Sequence, residues 1–180
     1  SVVLLRVILE LFTGVCPDFL QYEQGVEDPY DRADAVLTIG DLAIQRAASP
    51  RFPYIYDLGE VWHRQTGLPF VFALWQVNYR KTMDQDLARL NDILRESKEY
   101  GLSRLHDLAE GHAEQFGIPV ETLVQYWNCF SYDLGPEEQK GLLTYYGYAM
   151  ELGVIDSVPD LRIWTPNQPD RHPPVDHTGA

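Results

Sequence analysis

The sequence predicts an α/β fold with a helical C-terminal part, and three observations predict it. Phe70-Val-Phe-Ala-Leu-Trp75 is apolar at every position. A strand apolar on both faces is buried on both, as in a parallel or mixed sheet with helices over it. Ala33-Asp-Ala-Val-Leu-Thr-Ile39 reads as another buried strand, ending at Gly40-Asp41 where a helix takes over. After Asn78 the pattern changes, and apolar residues recur at helical spacing in successive segments.

In chain order, Ser1 to Phe12 is a nearly all-apolar helix, which needs neighbours on most sides. Cys16 to Tyr22 is a candidate strand, and Gln24 to Arg32 a polar, acidic loop. Leu42 to Ala48 is helical with Asp41 at its cap, and Ser49-Pro50-Arg-Phe-Pro53 is a turn. Tyr54 to Tyr56 is a short β-prone run closed by Asp57-Leu58-Gly59. Gly59 to Thr66 is a short helix carrying Val61 and Trp62. It stops at Gly67, where a left-handed residue is easily accommodated, and Pro69 then launches Phe70 to Trp75. Helices follow at Met83 to Glu99, Leu102 to Phe116 and Pro119 to Phe130, the last set off by Gly117-Ile-Pro119. A final helix runs from Glu137 to Leu152. Pro136 before Glu137-Glu138 is its start signal, a fixed φ followed by acids against the macrodipole, and Gly153 its stop. Thr165 to Ala180, rich in proline, reads as a disordered tail.

Composition narrows the function. The formal net charge is −13, from 27 acids against 14 bases. No basic stripe is there to neutralise phosphates, which argues against nucleic acid or an anionic membrane as partner. An anionic small ligand stays open, because local backbone dipoles hold one against an unfavourable overall field. No apolar run has the length of a membrane span. Cys16 and Cys129 are far apart and lack metal-ligand spacing, so they read as reduced thiols of a cytoplasmic protein, a disulfide being the alternative. No Ser/His/Asp set, Gly-rich phosphate loop or zinc spacing can be assembled.

The chain also carries a resemblance. Asp57-Leu-Gly-Glu-x-Trp62 followed by Thr66-Gly-Leu-Pro-Phe-Val-Phe-Ala-Leu-Trp75 resembles the chorismate dehydratases (MqnA) of the futalosine route to menaquinone. Ser1-Val-Val-Leu-Leu-Arg-Val7, Leu37-Thr-Ile-Gly-Asp41, Tyr132-Asp-Leu-Gly-Pro-Glu-Glu-Gln139 and Tyr148-Ala-Met-Glu-Leu-Gly153 agree with it, so it runs to about Trp164. The resemblance implies a two-lobed, periplasmic-binding-protein-like type II fold with an incomplete N-terminal lobe, since in that family an α/β segment precedes the Ser1 match. Residues 1–70 would then be the second α/β lobe, 71–164 the crossing strand plus the helical C-terminal part of the first lobe, and 165–180 the tail. It further implies loss of water from chorismate to give 3-[(1-carboxyvinyl)oxy]benzoate, with no cofactor and no metal. A non-catalytic solute-binding protein of that fold, or the related dihydroxynaphthoate synthase of the same route, are the alternatives.

Helix starts at Ser1, Gly40-Asp41 and Thr66-Gly67 would offer free backbone N–H groups to carboxylates. Ser1 is the candidate catalytic residue. Ser1, Val2, Ile39, Gly40, Asp41, Thr66, Gly67, Leu68 and Pro69 are the candidate substrate-binding residues. Each has a plainer reading: Ser1 and Asp41 as helix caps, Thr66 and Gly67 as a helix end. His63 reads as a general base or, more simply, a surface histidine. Asp57 and Glu60 read as an acid/base pair or as a helix cap and an ion pair.

Overall fold

The computed structural model describes residues 1–26, 28–48, 51–78 and 82–166. Helix α1 (Val2–Arg6) continues into a π-helical segment, Val7–Phe12. There follow α2 (Gly40–Ala48), α3 (Leu58–Thr66), α4 (Asp84–Leu102), α5 (Leu105–Phe116), α6 (Val120–Asn128) and α7 (Pro136–Glu151). Each is a helix the sequence announces, with ends moved by a few residues. The stop and start signals act as expected. Gly67 ends α3 at φ 71°, Gly117 ends α5 at φ 63°, and Gly153 lies just past α7 at φ 67°. Pro136 opens α7, with Glu137 and Glu138 in its first turn.

The strands are the correction. Among the described residues none forms a strand, so the α/β class is not realised within them. The runs 16–22, 33–39, 54–56 and 70–75 are irregular and carry no ladder. Nor is Phe70–Trp75 buried on two faces, since Phe72 is 63% and Trp75 82% exposed. The physical reason is that a strand is not a local structure. Its backbone groups need a neighbouring strand, and its apolar faces need layers over them. Side chains partly substitute at 33–39. The Gln24 amide donates to the Ile39 carbonyl at 2.9 Å and accepts from the Ile39 N–H at 3.0 Å, while the Tyr22 hydroxyl donates to the Leu37 carbonyl at 3.0 Å. Asp41 also departs from expectation: α2 starts at Gly40, so Asp41 sits inside the first turn and not at the cap. Most of the expected tail, 167–180, lies outside the described residues, as do Ser49 and Pro50 of the expected turn.

Two apolar clusters hold the helices. In one, Leu4, Val7 and Ile8 pack on Trp62 of α3, with Phe12, Phe70, Tyr145 and Tyr148 around them. Rings cross Trp62 edge-on: Phe70 at 5.5 Å, Tyr145 at 6.1 Å and Tyr148 at 6.0 Å between centroids. In the other, Ala109, Ile118 and Leu123 join α5 to α6, with Ile44 of α2 against them. The Gln45 side-chain amide donates to the Phe116 carbonyl and ties α2 to the end of α5. Helix α4 buries Leu87 but leaves Leu90 and Ile93 exposed. Large apolar side chains are left uncovered, among them Tyr54, Phe72 and Trp75.

Candidate functional site

The Thr66–Pro69 turn is the most tightly built of the candidate segments. Helix α3 begins at Asp57, whose carboxylate accepts from the Glu60 N–H at 2.9 Å. At the other end, the Gly67 N–H donates to the His63 carbonyl at 2.7 Å, closing the helix in a left-handed cap. The Thr66 hydroxyl donates to the Trp62 carbonyl at 2.9 Å and accepts from the Leu68 N–H at 3.1 Å. The His63 Nδ1 lies 3.2 Å from the Leu68 carbonyl oxygen. Helix α7 presses Gly141 against the Leu68–Pro69 segment. A Cβ built on Gly141 would sit inside contact distance of the Pro69 carbonyl oxygen and 3.6 Å from the Leu68 Cβ. Leu68 itself is buried.

This geometry corrects one expectation. Thr66–Gly67 is the end of α3 and not the start of a helix, so it presents carbonyl oxygens and the negative end of the macrodipole. Its N–H groups at Gly67 and Leu68 are already engaged. The turn suits a donor or a shape constraint, not a carboxylate. Ser1 and Gly40–Asp41 do stand at helix starts. Ser1 occupies the cap of α1, its carbonyl accepting from the Leu5 N–H at 2.9 Å, but its side chain makes no capping hydrogen bond. Val2 beside it is 55% exposed, and Ile39 before α2 is 51% exposed. Gly40 takes φ 64°, a conformation that side chains other than glycine's rarely adopt. The elements carrying Ser1–Val2 and Thr66–Pro69 share the Trp62 cluster. The element carrying Gly40–Asp41 packs into the other one.

Charges around these segments have plain partners. Asp57 caps α3, and Glu60 pairs with Arg64 at 3.3 Å on an exposed face, so capping and ion pairing account for both acids. Asp57→Ala should therefore cost about 1 kcal/mol of stability through the lost cap, read as a small drop in the urea midpoint; an unchanged midpoint would show that the cap is idle. Burial pushes the Tyr126 phenol above its ordinary range, and the carboxylates of Asp41 and Asp57 add to the effect. Tyr145, half-buried beside Trp62, is raised for the same first reason, with Tyr146 second. Away from the candidate segments, Asp28 is held below the usual carboxylate range by the Tyr30 N–H and then by Arg51. Arg46 and Arg51 each lie over the Tyr30 ring, at 4.9 Å and 4.8 Å. His106 faces Glu110 and Glu121 on an exposed surface. Cys16 and Cys129 are exposed and free. Among the described residues no three His, Cys, Asp or Glu side chains come together to hold a metal ion, and no helix is long and apolar enough to cross a membrane.

Comparison with known proteins gives the family. The family described as menaquinone biosynthesis matches residues 1–151. The chain belongs to the menaquinone-biosynthesis family. It is also 35% identical over 161 residues to a chorismate dehydratase of Thermus thermophilus, an alignment covering 81% of this chain and 57% of that protein. The chain thus spans little more than half the length of that relative. No solved structure matches.

All nine candidate residues fall inside the stretch matched by the menaquinone-biosynthesis family, as does the whole of α7. Three further residues shape the candidate segments; Gln24 and Gly141 escaped sequence reasoning, and His63 reads from the sequence as serving a different role. Gln24 pairs with the Ile39 backbone, and nothing in a polar loop announces that. Gly141 is signalled only weakly, as a glycine inside a strong helical pattern where it lowers helix propensity. His63 was visible as a titratable residue, but its contact with Leu68 runs five residues ahead, past the end of its helix.

Proposed function

We propose that the protein is a chorismate dehydratase, a hydro-lyase that removes water from chorismate to give 3-[(1-carboxyvinyl)oxy]benzoate. The observation that carries this reading is the 35% identity to the Thermus chorismate dehydratase, inside the family match over residues 1–151. The product is aromatic, so the elimination runs downhill and its demands are modest. The dianion must be held still, its C3 proton brought near a base and its leaving hydroxyl near a donor.

The candidate residues divide this work by polarity. Helix starts at Ser1–Val2 and at Ile39–Asp41 offer backbone N–H groups to the carboxylates, and Gly40 allows close approach. The Ser1 hydroxyl, which does not cap its own helix, supplies a donor to the leaving oxygen. The Thr66–Pro69 turn, with its carbonyl oxygens, takes the side of the substrate that carries O–H hydrogen. The substrate's own side-chain carboxylate serves as the base for C3.

The same reading includes the fold. We place the chain in a two-lobed, periplasmic-binding-protein-like α/β architecture, with residues 1–70 in the second lobe and 71–164 as the return crossing and helices of the first. Unpaired apolar runs at 33–39 and 70–75 support it, because such runs are at home only in a covered sheet. Chorismate is the small anionic partner, and a cytoplasmic location suits it.

The test is direct. Chorismate incubated with the intact protein should lose its diene absorbance while the benzoate ether appears by chromatography, without added metal or redox cofactor. Persistence of the diene at high protein concentration would remove the proposal.

A further inference from the structure

We propose that His63 is a positioning residue for the Thr66–Pro69 turn: its Nδ1–H holds the Leu68 carbonyl and so fixes the direction in which the Leu68–Pro69 peptide meets the ligand. This rests on the reading of the turn as part of the chorismate site.

The geometry is specific. A carbonyl oxygen only accepts, so at 3.2 Å the ring nitrogen facing it carries the proton. In the neutral ring that selects the Nδ1–H tautomer and leaves Nε2 as an acceptor. The backbone of the same residue works on the turn as well, since the His63 carbonyl accepts from the Gly67 N–H at 2.7 Å. One residue thus secures both the Gly67 N–H and the Leu68 carbonyl. Gly141 of α7 lies against the Pro69 carbonyl oxygen, so two successive carbonyls of the turn are held, that of Leu68 by a hydrogen bond and that of the Pro69–Phe70 peptide by a helix surface. Phe70 leaves this peptide directly into the Trp62 cluster, which makes its direction consequential for the packing beyond.

The His63 ring is exposed, which separates this role from core packing. Truncating an exposed ring opens no cavity, so an effect on the turn must come through the lost hydrogen bond. The side chains of Asn and Gln distinguish the two ring nitrogens. An Asn amide sits near the Nδ1 position, and a Gln amide near Nε2.

The experiment is done on the intact protein in two arms. In the first, long-range 1H–15N NMR with labelled histidine reads the tautomer of the wild type. Nδ1–H is expected, and Nε2–H at His63 would overturn the proposal whatever the enzyme does. In the second, His63→Ala, His63→Gln and His63→Asn are compared for chorismate turnover. Ala and Gln should raise KM about fivefold, as loss of one hydrogen bond would, with kcat within about twofold and Asn restoring most of the loss. Equal KM values for the wild type, Ala and Gln, or an Asn variant no better than Gln, would show that the contact does no positioning. If the wild type leaves chorismate untouched, the dehydratase reading fails, and the tautomer still decides whether His63 holds the turn.

Discussion

Trp62→Ala is expected to destabilise the protein by about 3–5 kcal/mol, the range for emptying a fully buried tryptophan site. Trp62 is fully buried, and it is the residue through which α1, its π-helical continuation, α3 and α7 meet. Removing the indole deprives Leu4, Val7, Phe70, Tyr145 and Tyr148 of their common neighbour, and helices drawn from distant parts of the chain cannot all shift inward to fill the space. Chemical denaturation should show a large fall in the midpoint, and the most buried of the four tryptophans would vanish from the emission spectrum. Trp62→Phe gives the informative comparison. The Trp62 Nε1–H is buried with no hydrogen-bond partner among the described residues, its surroundings being ring faces and edges. Phenylalanine keeps one ring and removes that unsatisfied donor, so its loss should be well below that of alanine. Equal losses for Phe and Ala would mean that the site depends on indole shape throughout.

Why the helices were legible in the sequence and the sheet was not follows from where each signal resides. A helix writes its instructions locally. Pro136-Glu137-Glu138 opens α7 and Gly67 closes α3 within a few residues of where the chain responds. A strand's hydrogen bonds and covering layers come from elsewhere, and Phe70–Trp75 and Ala33–Ile39 have neither among the described residues. The candidate site divides along the same line. Positive φ at Gly67 was readable, because glycine at a helix end has a local cause. Thr66–Gly67 reads both ways in the sequence, as the stop of one helix and as a helix start offering N–H groups, and the bond from the Gly67 N–H back to the His63 carbonyl makes it an end. Contacts across the sequence were invisible altogether: Gln24 with Ile39, and Gly141 with Pro69.

That last contact supports the second large expectation: Gly141→Ala and Gly147→Ala, two identical changes in one helix, should have opposite signs. Both glycines lie inside α7, where alanine is favoured over glycine by about 1 kcal/mol. At Gly147 the added methyl meets nothing within 4 Å, so the propensity gain should appear nearly whole. At Gly141 the methyl would enter the Pro69 carbonyl oxygen, which is backbone and is held by the turn behind it. Neither a rotamer change nor a side-chain shift relieves the clash, so α7 or the turn must move. Overpacking of this kind costs about 1–3 kcal/mol and sometimes more, against which the propensity gain is small. Net destabilisation of about 2 kcal/mol would lower the melting temperature by roughly 4–8 °C in a chain of this size, while Gly147→Ala should raise it slightly. The displaced carbonyl belongs to the turn proposed to face chorismate, so on that proposal Gly141→Ala should lose activity out of proportion to its stability, even well below its melting temperature. A Gly141→Ala protein as stable and as active as Gly147→Ala would mean that α7 does not hold the Leu68–Pro69 backbone in place.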